Sequence, residues 1–212
     1  MITYWVNYHE RLTIALYQHL KLVFLSLGIA LLLAVILIAI FSTRTQWLNT
    51  LIYFFSVLYS VPSYAFFALL IPMTGLGTTT AVIVLSLYSE YILLRTFTTG
   101  IQQIDPMVVE AATGLGMTDY QVFKKVQLPL AFKSIFAGIR LALTSIIGIA
   151  TIASTINAGG LGTVLFDGLR TQSLVKILWG SLLTIFLCLI SVFFFSCIEK
   201  IVTKKLGLEE IK

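Results

Sequence analysis

Five apolar runs, roughly 20–41, 48–72, 78–97, 134–157 and 174–198, alternate with shorter polar breaks along this chain. Each is long enough to cross a hydrocarbon core of ~30 Å as a helix, which takes about 20 residues. The runs are continuously apolar and do not alternate with a period of two, so helices rather than barrel strands satisfy their backbones. The stretch from Leu22 to Phe41 carries no charge and a single hydroxyl, Ser26. It begins too late and runs too long for a cleaved leader, and the residues after Phe41 lack a small-residue cleavage pattern, so the N-terminus is expected to be mature. Pro62 interrupts the second run and predicts a kink there. The expected fold class is an all-α integral membrane protein with about five transmembrane helices.

The polar breaks carry their own local signals. Before the fourth run, Asp105 can cap free backbone donors and Pro106 suits a first helical position, so a short helix is predicted over 106–113. Gly114-Leu115-Gly116 breaks it, and Thr118 with Gln121 has the spacing of a capping box, starting a second helix at about 119. Pro129 is expected to end that helix near Leu128. Ala111, Ala112, Gly114 and Gly116 cluster at the bend, where small side chains permit close approach by another surface. On spacing alone, a plain connecting loop remains the alternative. Between the last two runs, "NAGGLGTVLFDGLRTQ" is glycine-rich enough for a re-entrant or surface-lying hairpin. At the start, Tyr4, Trp5, Tyr8 and Tyr17 surround Asn7, His9, Glu10 and Arg11, which suits an interfacial segment. The division predicted is an outer segment 1–19, a membrane domain 20–198 and a cytoplasmic tail 199–212.

Composition agrees: 58% of residues are hydrophobic, 11% are charged, and the mean hydropathy is +1.00. Placing the N-terminus outside puts ten Lys and Arg on the inner side (Arg44, Arg95, Lys124, Lys125, Lys133, Arg140, Lys200, Lys204, Lys205 and Lys212). Four, Arg11, Lys21, Arg170 and Lys176, remain outside, and this bias makes the 106–128 segment cytoplasmic. The net charge of +5 therefore needs no nucleic acid to explain it. Cys188 and Cys197 fall on opposite faces of one helix and read as small buried residues, while His9 and His19 have no neighbours that complete a metal or catalytic site.

Glu110-Ala111-Ala112, followed after three residues by Gly116, then Val126 and Leu128-Pro129, resembles the signature loop of ATP-binding-cassette importer permeases of the type I, methionine-importer-like fold. Val126 in place of Ile is the one departure. The resemblance implies that 106–128 form coupling helices seated in a cleft of a cytoplasmic ATPase dimer, with Glu110 a candidate for an orienting hydrogen bond. Over roughly 55–170 the chain is similar to the osmoprotectant branch, which handles glycine betaine, carnitine and choline. Methionine importer permeases share the five-span plan and an Ala-Gly-Gly-Leu-Gly stretch, and are the nearest rival.

No Gly-x-x-x-x-Gly-Lys-Ser/Thr phosphate loop occurs, so the chain is not expected to be an enzyme. ATP and Mg are assigned to the partner ATPase, and this chain is expected to need no cofactor or metal. Solute capture is assigned to a separate extracellular or lipid-anchored binding protein, and a second permease subunit is expected, with a heterodimer favoured. The implied setting is the plasma membrane of a bacterium.

Two ionisable residues fall inside the runs, Glu90 and Arg140, at similar expected depths. An unpaired charge there costs at least ~2.5 kcal/mol, so an intramembrane pair or a shared polar cavity at a gate is predicted. Arg140 snorkelling away from a lone Glu90 is the alternative. Tyr59, Tyr64, Tyr88 and Tyr91 could offer ring faces to a cationic head group or serve packing. A stand-alone secondary transporter would leave the signature loop unexplained, and no nucleophile with a base supports a membrane enzyme.

Overall fold

The computed structural model describes residues 1–41 and 45–205, so Arg44, Lys212 and positions 206–212 of the expected tail lie outside the described residues. Every regular element among the described residues is helical. Helix α1 (Ile2–Phe41) covers 40 residues and is kinked at Tyr8, where φ is −131° and ψ 17°. Residues 2–19 of the expected outer segment are helical and run on into the first apolar run, with the kink at Tyr8 inside them. Leu12 and Ala15 are buried upstream of the first apolar run, so the helix has a face to bury there too. Trp5 stacks on Trp179 with ring centroids 5.3 Å apart and anchors the same end.

The second run breaks rather than kinks. Helices α2 (Thr45–Ser60) and α3 (Ser63–Thr74) meet at a 98° bend on either side of Val61 and Pro62. Pro62 donates no hydrogen bond and drives Val61 out of the helical region. The Tyr88 hydroxyl donates to the Val61 carbonyl, which the break leaves free. Among the described residues, four helical stretches are long and apolar enough to span a membrane, or five if this bent pair counts as one.

At the centre, α4 (Thr78–Gln102) lies against α1 on one side and antiparallel to α7 (Leu128–Ala153) on the other. The α4–α7 seam depends on two glycines. A Cβ at Gly138 would stand 2.0 Å from Thr96 Oγ1, and one at Gly100 would stand 2.4 Å from Ser134 Cβ. Ala30 and Ala34 of α1 are likewise fully buried, and the core gathers around Leu85, Leu93, Leu143 and Ile147. Such backbone proximity gains dispersion contacts where lipid offers no hydrophobic drive. Helix α9 (Leu174–Lys205) packs on α7 and on the short helix α8 (Gly162–Arg170), which occupies the predicted hairpin. Helices α5 (Pro106–Gly114) and α6 (Asp119–Val122) sit at the end of the bundle reached by the C-terminal ends of α1 and α4, opposite α8.

Candidate functional site

The segment from Asp105 to Pro129 is built by local rules. The Asp105 carboxylate accepts from the Met107 N–H at 2.9 Å, and Pro106 fills the first turn, as their order predicts. Thr118 and Gln121 form the predicted capping box, with Thr118 N–H to Gln121 Oε1 at 2.9 Å and Gln121 N–H to Thr118 Oγ1 at 3.4 Å. Between them the chain turns through Gly116 at φ +83°. Gly116 N–H bonds to the Thr113 carbonyl and Met117 N–H to that of Ala112, the paired bonds of a Schellman ending, whose left-handed residue favours glycine.

Pro129 does not end the second helix. Phe123–Gln127 widen into a π turn, in which the Leu128 N–H reaches back to the Phe123 carbonyl, and the chain continues as one rod from Asp119 to Ile156. The wider turn reroutes the ladder where proline lacks a donor and its ring would press on a carbonyl. Val126, Leu128 and Pro129 are half-buried, while Leu128 faces Phe97 and Ile38 across an apolar cavity. Of the small residues, Ala112 is buried, whereas Ala111, Gly114 and Gly116 are exposed. Glu110 is exposed, borders a cavity at the base of α4, and makes no ion pair among the described residues. The tip is apolar despite its position outside the long spans: Met107, Leu115 and Tyr120 are 71%, 85% and 68% exposed.

Glu90 and Arg140 do not meet. Arg140 pairs with Glu199 of α9, and both partners are half-buried. Glu90 is fully buried, with both carboxylate oxygens lacking a hydrogen-bond partner among the described residues. Similar depth does not imply facing directions: Glu90 is buried within the bundle, and Arg140 reaches Glu199 of α9. Glu199 went unnoticed because it reads as an ordinary charged end of the last apolar run, 59 positions from its partner.

His19, which the sequence left without a role, ties three elements. Its Nε2 donates to the Ile147 carbonyl at 3.2 Å, and its Nδ1 accepts from the Leu161 N–H at 3.3 Å. Gln18 Oε1 accepts from the Gly160 N–H at 3.1 Å, so α1 clamps the glycine-rich turn that precedes α8. At the same end Asp167 receives Lys176 at 3.0 Å, Arg11 at 3.1 Å and Arg170 at 3.5 Å. The Lys176 hydrogen bond, followed by the Lys176 and Arg11 charges, holds the Asp167 carboxyl below its usual range despite an opposing desolvation effect.

On another side of the bundle, Tyr59 of α2 and Tyr91 of α4 lie 5.0 Å apart between ring centroids. With Arg95, Thr96, Thr144 and Ser145 they line a cavity of 450 Å³ between α2, α4 and α7.

Comparison with known proteins places this architecture. A carnitine transport permease protein, OpuCB of Listeria monocytogenes, is 35% identical over 208 residues, covering 97% of this chain and 94% of that protein. The glycine betaine/carnitine/choline transport system permease protein OpuCB of Bacillus subtilis is 32% identical over 195 residues, covering 92% and 89%. An osmoprotectant import permease protein, OsmW of Salmonella typhimurium, is 35% identical over 182 residues, covering 83% of each. Among solved structures, the inward-facing MetNI methionine ABC transporter matches with a TM-score of 0.82 at 19% identity, over 91% of this chain and 96% of that one, a likeness of fold. Residues 26–208 match the family described as the binding-protein-dependent transport system inner membrane component, and the chain belongs to that family as a multi-pass membrane protein.

Proposed function

We propose that this chain is the permease subunit of an ATP-driven importer, that it forms half of the translocation pathway for a quaternary-ammonium osmoprotectant, and that α5 and α6 are its coupling helices. The observation that carries the reading is the apolar tip formed by Met107, Leu115 and Tyr120 on a segment whose caps and Gly116 turn make it rigid. A closing ATPase dimer can shift a two-state transporter only through contacts that differ between its states, and a stiff helix seated in a groove provides them. Glu110, Ala111, Ala112, Gly114 and Gly116 then form the docking surface, with Val126, Leu128 and Pro129 joining it to α7. ATP and Mg belong to the partner ATPase.

The orientation follows from charge. The end that carries α5 and α6 also carries Arg95, Lys124, Lys125, Lys133, Arg140, Lys200, Lys204 and Lys205, against Arg11, Lys21, Arg170 and Lys176 at the other. This asymmetry supports a cytoplasmic α5–α6 end and an N-terminus outside, in a bacterial plasma membrane. The relatives named for carnitine, choline and glycine betaine support the solute class. The remaining parts of the proposal are a second permease subunit, in a heterodimer, and an extracellular binding protein that captures the solute.

The test is ATP-dependent uptake of labelled glycine betaine, carnitine, choline and methionine into vesicles holding the purified complex, with Gly116→Asp as the coupling variant. Quaternary-ammonium uptake should occur and should fall by on the order of 100-fold in the variant, while the variant's fold survives, since a Cβ at Gly116 meets no described atom within 4 Å and the strain of a side chain at φ +83° is least for Asp and Asn. Uptake of methionine alone would overturn the solute class, and gradient-driven uptake without an ATPase would overturn the importer.

A further inference from the structure

The Tyr59–Tyr91 cavity combines three features that discriminate among quaternary ammonium compounds. Tyr59 and Tyr91 pack on each other with centroids 5.0 Å apart and planes inclined by 37°, and the ring surface they leave to the cavity is the π surface that attracts an alkylammonium head group. Arg95 follows Tyr91 by four residues on α4, which sets their Cβ atoms about 5–6 Å apart on the same face. Arg95 is exposed to the cavity, and no described carboxylate lies within 4 Å of it. Among the described residues, no carboxylate lines the cavity either. Glu90, although it adjoins Tyr91 in sequence, is buried on another side of α4. The volume of 450 Å³ falls within the ~300–1,000 Å³ typical of small-molecule sites.

A simple cation entering this space would meet the rings but also an uncompensated guanidinium. A compound carrying both a quaternary ammonium and a carboxylate would satisfy both features, because the planar fork of Arg95 can hold a carboxylate by two parallel hydrogen bonds. We propose that this cavity is a selecting subsite on the pathway that takes a carboxylate-bearing, zwitterionic quaternary ammonium compound, with Tyr59 and Tyr91 at the ammonium and Arg95 at the carboxylate. The proposal rests on the importer reading and narrows its solute class from quaternary ammonium compounds in general to zwitterions. Its selectivity lies in the membrane subunit, downstream of any capture by a binding protein.

The experiment compares uptake of labelled glycine betaine, carnitine and choline by the complete complex in vesicles, with the same binding protein in every preparation. Arg95→Gln should lower glycine betaine and carnitine uptake about tenfold while choline uptake holds or rises, so the zwitterion-to-choline ratio falls by about that factor. Arg95→Lys, which keeps the charge but loses the fork, should lie between wild type and Arg95→Gln and keeps the test decisive if the glutamine variant assembles poorly. Tyr59→Leu and Tyr91→Leu should each reduce all three solutes, by about threefold. An equal fall for all three solutes in Arg95→Gln would assign Arg95 a structural role and overturn the subsite. So would an unchanged ratio in both arginine variants, or a wild type that carries choline and neither zwitterion. A wild-type complex that moves none of the three would instead overturn the importer reading beneath it.

Discussion

The α4–α7 seam and the α5–α6 segment are both rich in small residues, and they use them in opposite ways. In the seam, the space a side chain would occupy at Gly138 and Gly100 is already taken by Thr96 and Ser134. Around the bend, a Cβ added at Gly114 or Gly116 would meet nothing within 4 Å among the described residues, and the hydrogen bonds that shape the segment are all local. One set of small residues is consumed by the fold, and the other is left open by it. A glycine count along the chain treats the two alike; only the neighbour that fills the gap separates them.

The largest effect should come from filling the seam. Gly138→Leu forces four heavy atoms into space held by Thr96 and Phe97, and overpacking of this kind costs about 1–3 kcal/mol or more. The expected outcome is loss of folded, detergent-extractable protein and, for any that survives, a melting temperature lower by several degrees. Gly116→Asp is the counterpart: strain at positive φ costs roughly 1–2 kcal/mol per residue, least for Asp and Asn, so its melting temperature should stay within a few degrees while transport is lost. If Gly116→Asp melts as low as Gly138→Leu, or Gly138→Leu folds normally, the contrast between the two regions fails.

An intermediate effect is expected at Arg140 and Glu199, which act from within the bundle as the seam does but through charge. Removing one partner of this half-buried pair leaves the other charge uncompensated and costs about 1–2 kcal/mol, between the values for exposed and fully buried pairs, whereas removing both is less costly. Arg140→Gln and Glu199→Gln should therefore each destabilise more than the double variant, a coupling that thermal melts in detergent can measure. Additive losses would show that the two side chains act independently. A matching cycle between Arg140 and Glu90 should give no coupling.

What the sequence disclosed follows the same division between local and distant causes. The Asp105–Pro106 start and the Thr118–Gln121 box were readable because each is complete within four residues. The five apolar runs were readable because lipid acts on every residue of a span alike. Pro62 and Pro129 carry the same local signal, yet one breaks its helix by 98° and the other is absorbed by a π turn. Nothing within either segment distinguishes them, since the backbone around them decides which groups go unpaired. The Glu90–Arg140 expectation failed for a related reason: residue counting fixes depth along a helix but leaves its rotation free. The roles of His19 and Asp167 depend on segments 128 to 156 positions apart being brought together.

The smallest effect expected lies at Asp167, an exposed-end tie that joins α1, α8 and α9 by charge rather than by close packing. Its carboxyl is held below the usual range, chiefly by the Lys176 hydrogen bond. A carboxyl whose folded value is depressed contributes stability that is fully present above the unfolded value of about 3.9 and is lost as pH falls through the folded one. Partly solvated ion pairs contribute under about 1 kcal/mol, so wild type and Asp167→Asn should differ by at most about 3 °C in melting temperature at neutral pH. That difference should hold down to about pH 5 and shrink below about pH 4, where wild type loses the same charge that the variant lacks. Melts of both proteins across this range, repeated in high salt, check the assignment. A difference that persists at the acid end would mean that Asp167 holds its three neighbours by shape and hydrogen bonding, as the seam does, and that charge contributes little to fastening this end of the bundle.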